Sequence, residues 1–318
     1  MSGSGRSLQD RRAPYIMLAP FALLFLVFVA WPLIQSVLLA TQRTYGPGTA
    51  RFVGIDNFRE LAHDPFFWIA LKNTAIFTLG SVCIQLPLSL LLAMALNRPG
   101  LKGRAFFRLI FFCPVLVGMV FVAMMFSLLL QRGEGGVLNR MVDDVFNGIG
   151  VYHLAAALVS DPWLTSANII NFPWLERWAM LALIVAALWM FVGYNMVYFL
   201  AALQNVRKDL IEAATVDGAN AYHRFIHVTL PAIRPVASFV VLLSIIGSFQ
   251  LFELPLFMLG PASYENRGLT IVWYLYQAGF ETGDLGYASA IGWVMAMILM
   301  FFALVQFVLA KRDEGVLE

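Results

Sequence analysis

The stretch WAMLALIVAALWMFVGYNMVYFLAAL, residues 178–203, contains no charged side chain. An α-helix needs about 20 consecutive, mainly apolar residues to cross the ~30 Å hydrocarbon core of a bilayer. Its backbone groups then satisfy one another without water, which is the condition for any segment that enters lipid. The stretch therefore predicts a membrane-spanning helix.

The rest of the chain repeats this pattern. Of its 318 residues, 60% are hydrophobic and 13% charged, and the mean hydropathy is +0.77. An ordinary soluble domain has about 25% charged residues, so this composition argues against a soluble fold. Five further apolar stretches occur at Tyr15–Leu39, Ile69–Leu96, Phe106–Leu130, Val236–Phe257 and Tyr287–Ala310. The sequence predicts an all-α, polytopic integral membrane protein with six transmembrane helices.

The basic residues predict its orientation. Six spans place both termini on one side, and cytoplasmic loops of membrane proteins carry an excess of Lys and Arg. One set of connections and both tails hold thirteen of the 21 basic residues, which predicts that both termini are cytoplasmic. The chain is predicted to begin with a cytoplasmic tail at 1–14, followed by a first helix at 15–39 and a periplasmic loop at 40–68. A five-helix core at 69–310 and a cytoplasmic tail at 311–318 complete it. The core contains a periplasmic loop at 131–177 and a cytoplasmic loop at 204–235.

Several classes of function lack support in the residues. The net charge is +2 and no basic run is interleaved with aromatic residues, so nucleic acid is not an expected partner. No Gly-x-x-x-x-Gly-Lys-Ser/Thr sequence occurs, so the chain cannot bind ATP by a phosphate-binding loop. His223 and His227 have metal-ligand spacing but no third ligand, and no catalytic constellation is visible. We expect no catalytic site, no metal and no cofactor of its own.

The predicted cytoplasmic loop at 204–235 has the strongest local pattern. Asp209–Ala214 predicts a short surface helix, Asp217-Gly218 a turn that can also cap the next element, and Ala221–Thr229 a second short helix. Pro231 and Pro235 are expected to end that helix and start the next span. Such an elbow could present a rigid knob to a partner, or it could lie on the inner leaflet with its basic residues paired with anionic lipid.

This loop resembles the hallmark of the permeases of binding-protein-dependent ATP-binding-cassette (ABC) importers. The matching residues are Glu212-Ala213-Ala214, Gly218, Val228 and Leu230-Pro231, at the hallmark's spacing. Similarity to the subgroup that takes up oligosaccharides, other sugars and glycerol-phosphate-type solutes extends over nearly all of residues 15–310. One departure is Arg207, which stands where the family commonly has proline.

The resemblance implies a type I ABC importer permease (MetI-like) fold in a bacterial inner membrane. It implies a second permease subunit, two copies of a cytoplasmic ABC ATPase that bind the ATP, and a periplasmic or lipid-anchored solute-binding protein, with membrane lipid around the assembly. In the family the loop forms a coupling helix that docks on the ATPase. The residues expected to make this contact are Glu212, Ala213, Ala214, Asp217, Gly218 and Ala219.

Polar and aromatic groups within the spans are candidates for solute contact, because a polar group in hydrocarbon is costly unless it faces a partner or a wet cavity. Gln250 and Glu253 are three residues apart and are expected to share one helix face. An interhelical hydrogen bond, or a carboxylate at the outer interface without ligand contact, is the alternative for them. Trp189, Tyr194 and Asn195 occur in the fourth span, although packing, interface or helix–helix roles are alternatives for them.

Two other functions are weighed against the importer. A secondary transporter driven by an ion gradient would need membrane-embedded charges related by an internal repeat. Only Glu253 is a candidate for such a charge, and no internal repeat is evident. An integral-membrane enzyme such as a lipid transferase would need catalytic or metal-binding residues at the membrane face, and the sequence offers none.

Overall fold

The computed structural model describes residues 8–44, 50–98, 100–152, 165–260 and 266–314. α-Helices occupy Leu8–Phe25, Trp31–Ala40, Asp56–His63, Pro65–Gly80, Leu86–Leu96, Arg104–Leu116, Met119–Leu129, Val137–Gly148, Ser166–Ile170, Trp174–Arg177, Ala179–Gln204, Lys208–Val216, Ala221–Arg224, Leu230–Phe249, Glu253–Leu259, Ile271–Tyr276 and Leu285–Glu314. Single π-helical turns occur at Leu26–Ala30, Ser81–Gln85, Phe225–Thr229 and Gln277–Glu281.

Among the described residues, five helical stretches are long and apolar enough to cross a membrane: Met17–Ala40, Pro65–Leu96, Ala179–Gln204, Ala221–Phe249 and Leu285–Leu309. They are called spans one, two, four, five and six below. A bent pair, Arg104–Leu116 and Met119–Leu129, makes a sixth if it is counted as one span. The helical membrane fold is confirmed, with one short addition: strands Gln42–Thr44 and Ala50–Phe52 pair antiparallel.

The third predicted span, Phe106–Leu130, is wrong as a continuous helix. Its two halves meet at 93°, because Val117 and Gly118 adopt extended backbone angles. Pro114 lies one turn before the bend and has no N–H to donate to the helix ladder. The hydropathy of a stretch of residues indicates its affinity for lipid, but it does not predict where the helix bends.

The fifth predicted span, Val236–Phe257, is also wrong in its limits. The helix Leu230–Phe249 ends before Gln250, and a separate helix begins at Glu253. Pro255 accounts for the break, since a continuous helix would lose its hydrogen bond and clash with the preceding turn. In the observed structure Pro255 lies in the first turn of Glu253–Leu259, where it needs no donor.

The other end of this span also differs from the prediction, because Pro231 and Pro235 do not separate the second loop helix from span five. The chain remains helical from Ala221 to Phe249. A π-turn at Phe225–Thr229 precedes Pro231, and the Leu230 N–H donates to the Phe225 carbonyl. A widened turn of this kind accommodates a residue that lacks a backbone donor.

The chain forms two compact units. The first comprises residues 1–64 and 275–294 and the second residues 65–274 and 295–318. In the first unit, Asp284 accepts hydrogen bonds from the backbone N–H and hydroxyl of Thr44, and the Tyr287 hydroxyl donates to Asp64 at 2.6 Å. These bonds fix the short hairpin and the helix Asp56–His63 within this unit.

The second unit contains both large apolar clusters. One surrounds Ala186 and Leu254 and joins span four to Met119–Leu129 and Glu253–Leu259. The other joins Leu86–Leu96 to the last turns of span four and to span five through Leu96, Met196 and Ile233. All residues of the candidate site belong to this unit.

The predicted periplasmic loop at 131–177 has defined structure where it is described. Asn139 is buried, donates to the Ile170 carbonyl at 2.9 Å and accepts from the Trp174 indole N–H at 2.8 Å. One amide thus joins three separate parts of the loop. Residues 153–164 of this loop lie outside the described residues.

Candidate functional site

The first candidate site is a cavity of about 520 Å³ in the middle of the second unit. It lies between span two, span four, span five and the start of Met119–Leu129. The break between Phe249 and Glu253 opens directly onto it, since Ser248, Gln250, Leu251 and Glu253 all line it. The helix break therefore allows polar side chains on both sides of it to line the cavity. A continuous helix would have presented to the cavity only the side chains of one face.

Four of the five predicted solute-contact residues converge on this cavity: Tyr194, Asn195, Gln250 and Glu253. Gln250 and Glu253 do so from opposite sides of the helix break, so the prediction that they share a face of one helix is wrong although both reach the cavity. Trp189 is not brought to it. Its ring lies 6.0 Å from the ring of Phe126 and borders a separate apolar groove.

The cavity also contains polar residues that the sequence pattern did not single out. They are Ser81, Gln85, Ser244 and Ser248. Gln85 is the most informative of them, because it is only 4% exposed and belongs to the π-turn Ser81–Gln85 in the middle of span two. A lone amide within an apolar stretch is the signal by which Gln85 could have been found.

The polar groups of the cavity are largely unused by the fold. Within the described residues, the side chains of Gln85, Asn195 and Glu253 make no hydrogen bond to protein. Each remains in contact with the cavity, as none of their polar atoms is sealed in the protein. Gln85 and Asn195 are buried amides, which are nearly always hydrogen-bonded, so both require water or a ligand as their partner.

Aromatic rings form one wall of the cavity. Phe77, Phe191 and Tyr194 line it together. The hydroxyls of Tyr194 and Tyr198 are hydrogen-bonded at 2.9 Å, and their rings meet edge to face. This pair fixes the ring of Tyr194 at the margin of the cavity, where an apolar face and a polar tip are both available.

The second candidate site is the elbow at 204–235. The predicted first helix is confirmed as Lys208–Val216, and Gly218 follows with φ +81°, a left-handed conformation that glycine adopts without cost. The predicted cap of the next helix is wrong, however: Asn220, not Asp217, accepts the His223 N–H at 2.9 Å.

Two side-chain contacts stabilise the local structure of the elbow. The Arg224 guanidinium donates to the Thr215 hydroxyl at 2.8 Å and joins the two helices. Arg207, at the start of the first helix, has φ −62°, the angle that proline would impose, and pairs with Asp209. The Arg207 hydrogen bond is the main cause that lowers the pKa of Asp209.

The elbow exposes the residues predicted to contact a partner. Glu212, Ala213, Asp217 and Gly218 are exposed, while Ala214 and Ala219 are half-buried in its concave side. This hollow has a volume of about 470 Å³ and is lined by Ala214, Asp217, Gly218, Ala219, Asn220, His223, His227 and Val228. Val216 and Tyr222, which the sequence pattern did not single out, are 88% and 69% exposed beside it.

The two histidines of the elbow do not form a metal site with other described residues. Their rings are stacked with centroids 5.9 Å apart. Nδ1 of His223 lies within hydrogen-bonding distance of the Asn220 side-chain oxygen, and Nδ1 of His227 lies within that distance of the His223 carbonyl. No group of three or more His, Cys, Asp or Glu side chains suited to a metal occurs in the described part of the chain.

Comparison with known proteins identifies the kind of protein that has this architecture. Residues 85–312 match the family of binding-protein-dependent transport system inner membrane components. The arabinooligosaccharide transport system permease AraP of Bacillus subtilis is 35% identical over 96% of this chain and 90% of its own length. The lactose transport system permease LacF of Rhizobium radiobacter is 32% identical, with 94% of each chain covered.

A solved structure extends the similarity to three dimensions. A bacterial alginate ABC transporter, in complex with a periplasmic protein that holds an alginate pentasaccharide, contains a chain of similar fold. The TM-score is 0.79 and the sequence identity 25%, over 97% of this chain and 98% of that one. The relatives are thus matched along almost their whole length.

Proposed function

Because the chain belongs to the family of binding-protein-dependent transport system inner membrane components, we propose that it forms half of the translocation pathway for a sugar or sugar-like solute. It is an inner-membrane permease of an ABC importer.

The cavity between spans two, four and five is the observation that carries this proposal. Gln85, Asn195 and Glu253 supply amide and carboxylate groups that the fold leaves without partners. Amides both donate and accept, and an ionised carboxylate accepts, which suits neighbouring hydroxyls of a sugar. Phe191 and Tyr194 offer ring faces on which the C–H face of a sugar can pack.

The names of the relatives agree with this chemistry. AraP and LacF are named for oligosaccharide and disaccharide transport, and the alginate transporter is of the same fold. A cavity of about 520 Å³ is within the ~300–1,000 Å³ range of small-molecule sites and can enclose one or two sugar rings at a time. A longer oligosaccharide would pass through it progressively.

The elbow at 204–235 is proposed to couple transport to ATP hydrolysis. Its docking surface comprises Glu212, Ala213, Ala214, Asp217, Gly218 and Ala219, with Val216 and Tyr222 as additional apolar contacts. The proposed assembly contains a second permease, two cytoplasmic ATPase subunits and an external solute-binding protein. In this arrangement both termini of the chain are cytoplasmic.

The test is co-purification and ATPase assay of the wild type and the Gly218→Asp variant. The space around Gly218 is open within the chain, and Asp is one of the few residues that tolerate a left-handed conformation. The variant should therefore fold normally, yet lose the ATPase subunit or hydrolyse ATP without solute uptake. Gly218→Asn is the matched control, because it has the same size and no charge.

The outcomes separate the importer from its main alternative. Loss of coupling in both variants would indicate steric exclusion of the partner, and loss in Gly218→Asp alone would indicate charge repulsion. If the chain purifies without an ATPase and both variants retain uptake, the coupling proposal fails. Uptake that then follows an ion gradient would favour a secondary transporter.

A further inference from the structure

A basic segment connects span two to the bent pair. It contains Arg98, Lys102, Arg104 and Arg108, and no acidic residue occurs anywhere between Asp64 and Glu134. Clusters of four or more basic residues next to a membrane helix are typical of sites for anionic lipid headgroups. Charge alone could equally reflect orientation in the membrane, so the proposal depends on the geometry of these side chains.

Two of these arginines have enclosed donor atoms without acceptors. Arg104 and Arg108 are one turn apart on the helix Arg104–Leu116 and therefore share a face. The Arg104 Nη2 donates to the Arg98 carbonyl. Its Nε, together with Nε and Nη2 of Arg108, is enclosed by protein and has no hydrogen-bond partner within the described residues.

Nη1 of Arg104 and Nη1 of Arg108 are not enclosed and make no hydrogen bond within the described residues, so an anion can reach both guanidinium groups there. Leaving a charged donor shielded from water and unpaired is costly, and the guanidinium fork matches the oxygens of a phosphate or carboxylate. No ion pair involving Arg104 or Arg108 occurs in the described part of the chain. The partner must therefore come from outside these residues.

An apolar groove borders the same helix beyond Arg108. It has a volume of about 370 Å³ and is lined by Leu88, Ile110, Phe111, Pro114, Leu188, Trp189, Val192 and Gly193. Phe111 is three residues beyond Arg108 and so shares its face of the helix, at a rise of roughly 4.5 Å. Cationic groups at one end of an apolar groove match a phosphate headgroup with its acyl chain.

We propose that this groove binds an anionic phospholipid, with its phosphate at Arg104 and Arg108 and one acyl chain between spans two and four and the helix Arg104–Leu116. Arg98 and Lys102 are exposed and add positive charge around the headgroup. Trp189, which the structure separates from the solute cavity, becomes part of the wall that contacts the acyl chain. A carboxylate of a partner protein would account for the arginines but would leave the groove empty.

The site lies at the same end of the second unit as the elbow. Leu96, which precedes the basic segment, packs in one apolar cluster with Leu203 and Val206, and Ile211 of the elbow packs against that cluster. A bound headgroup would stabilise the end of the bundle that carries the elbow. This inference does not depend on the nature of the transported solute.

The test uses the complete transporter complex in nanodiscs that contain phosphatidylcholine with or without phosphatidylglycerol. Native mass spectrometry should detect retained phosphatidylglycerol on the wild type, and its thermal stability should rise with the anionic lipid. The double variant Arg104→Gln/Arg108→Gln should bind it roughly thirtyfold less tightly, on the basis of the typical contribution of two basic residues at an anionic surface. Glycerol phosphate and inorganic phosphate alone should not stabilise the wild type.

Two comparison variants make the result specific. Arg104→Lys/Arg108→Lys keeps the charge and should retain much of the lipid binding. Arg51→Gln/Arg140→Gln removes the same charge from exposed positions and should leave lipid binding unchanged. The proposal is overturned if the Gln pair at 104 and 108 retains phosphatidylglycerol as the wild type does, or if that pair loses a partner subunit while lipid binding is unaffected.

Discussion

Gly193 lies directly against the backbone of Phe111: a Cβ atom built on Gly193 would be 1.7 Å from the Phe111 carbonyl oxygen. This contact brings span four and the helix Arg104–Leu116 together at the distance of two backbones, and small residues at helix interfaces in membranes commonly serve this purpose. Asn195, two residues later on span four, lines the cavity between spans two, four and five, so the position of this helix affects the shape of that cavity.

Gly193→Ala is predicted to destabilise the second unit strongly. The opposing atom belongs to backbone and cannot rotate away, so the helices must separate, at a cost of about 3 kcal/mol, the upper part of the overpacking range. The measurement is thermal unfolding of the detergent-solubilised chain, followed by size-exclusion chromatography.

Gly247→Ala is the matched control. Gly247 is also within a span, but its Cβ would meet nothing within 4 Å. It should be as stable as the wild type or slightly more so, because alanine has the higher helix propensity. Equal stability of the two alanine variants would show that the Gly193 contact does not hold the helices together.

Asn195→Leu is predicted to reduce solute uptake without loss of folding. The change keeps the branching and the number of heavy atoms of the side chain, and it removes two hydrogen-bonding functions that the fold itself does not use. The loss of one or two hydrogen bonds to a sugar should raise the KM for uptake about 3- to 30-fold. Reconstituted uptake assays with a fixed concentration of the binding protein would measure it.

Trp189→Phe provides the comparison for this prediction. Trp189 is on the same span, six residues earlier, but borders the apolar groove and not the cavity. Its uptake kinetics should match those of the wild type. A larger effect of Trp189→Phe than of Asn195→Leu would place the solute path elsewhere.

Asn139→Ala is predicted to loosen the loop between residues 131 and 177. The side chain of Asn139 is 2% exposed, and it joins Ile170 and Trp174 through short hydrogen bonds. Its removal leaves half-buried partners without these hydrogen bonds, at a cost of about 1–3 kcal/mol. Hydrogen exchange of the helix Val137–Gly148 should become faster, whereas Asn147→Ala, an exposed change in the same helix, should have no such effect.

Tyr152 is predicted to ionise only at strongly alkaline pH. Burial, and then the hydrogen bond that its hydroxyl donates to Asp143 at 2.7 Å, raise the pKa of Tyr152 from 10.0 to about 12. A raised phenol pKa stabilises the folded loop fully below pH 10, and this contribution disappears as the pH rises through about 12.

The measurement is the difference in tyrosinate absorbance between the wild type and Tyr152→Phe during an alkaline titration. Its midpoint should lie near pH 12. Asp143→Asn should lower the midpoint only part of the way to pH 10, because burial of Tyr152 is the largest cause of its raised pKa and remains in this variant. A wild-type midpoint near 10 would show that the hydroxyl is neither shielded nor paired.

Much of the elbow could be predicted from the sequence because its signals are local. The helix Lys208–Val216 follows from residue pattern, and the turn at Gly218 from a glycine after aspartate. The cap at Asn220 was missed because Asp217 is an equally good capping residue by type. Only the positions of the backbone donors distinguish the two, and these depend on how far the turn extends.

The sequence by itself determined that the chain enters a membrane and roughly where, since pooled apolar residues reflect transfer from water to lipid and need no knowledge of neighbours. Only the tertiary structure decided where the helices break and which faces meet. The breaks at Gly118 and before Glu253 depend on whether neighbouring helices can satisfy the freed backbone groups. That packing is also what brings Gln85 and Glu253 into one cavity and places Trp189 outside it.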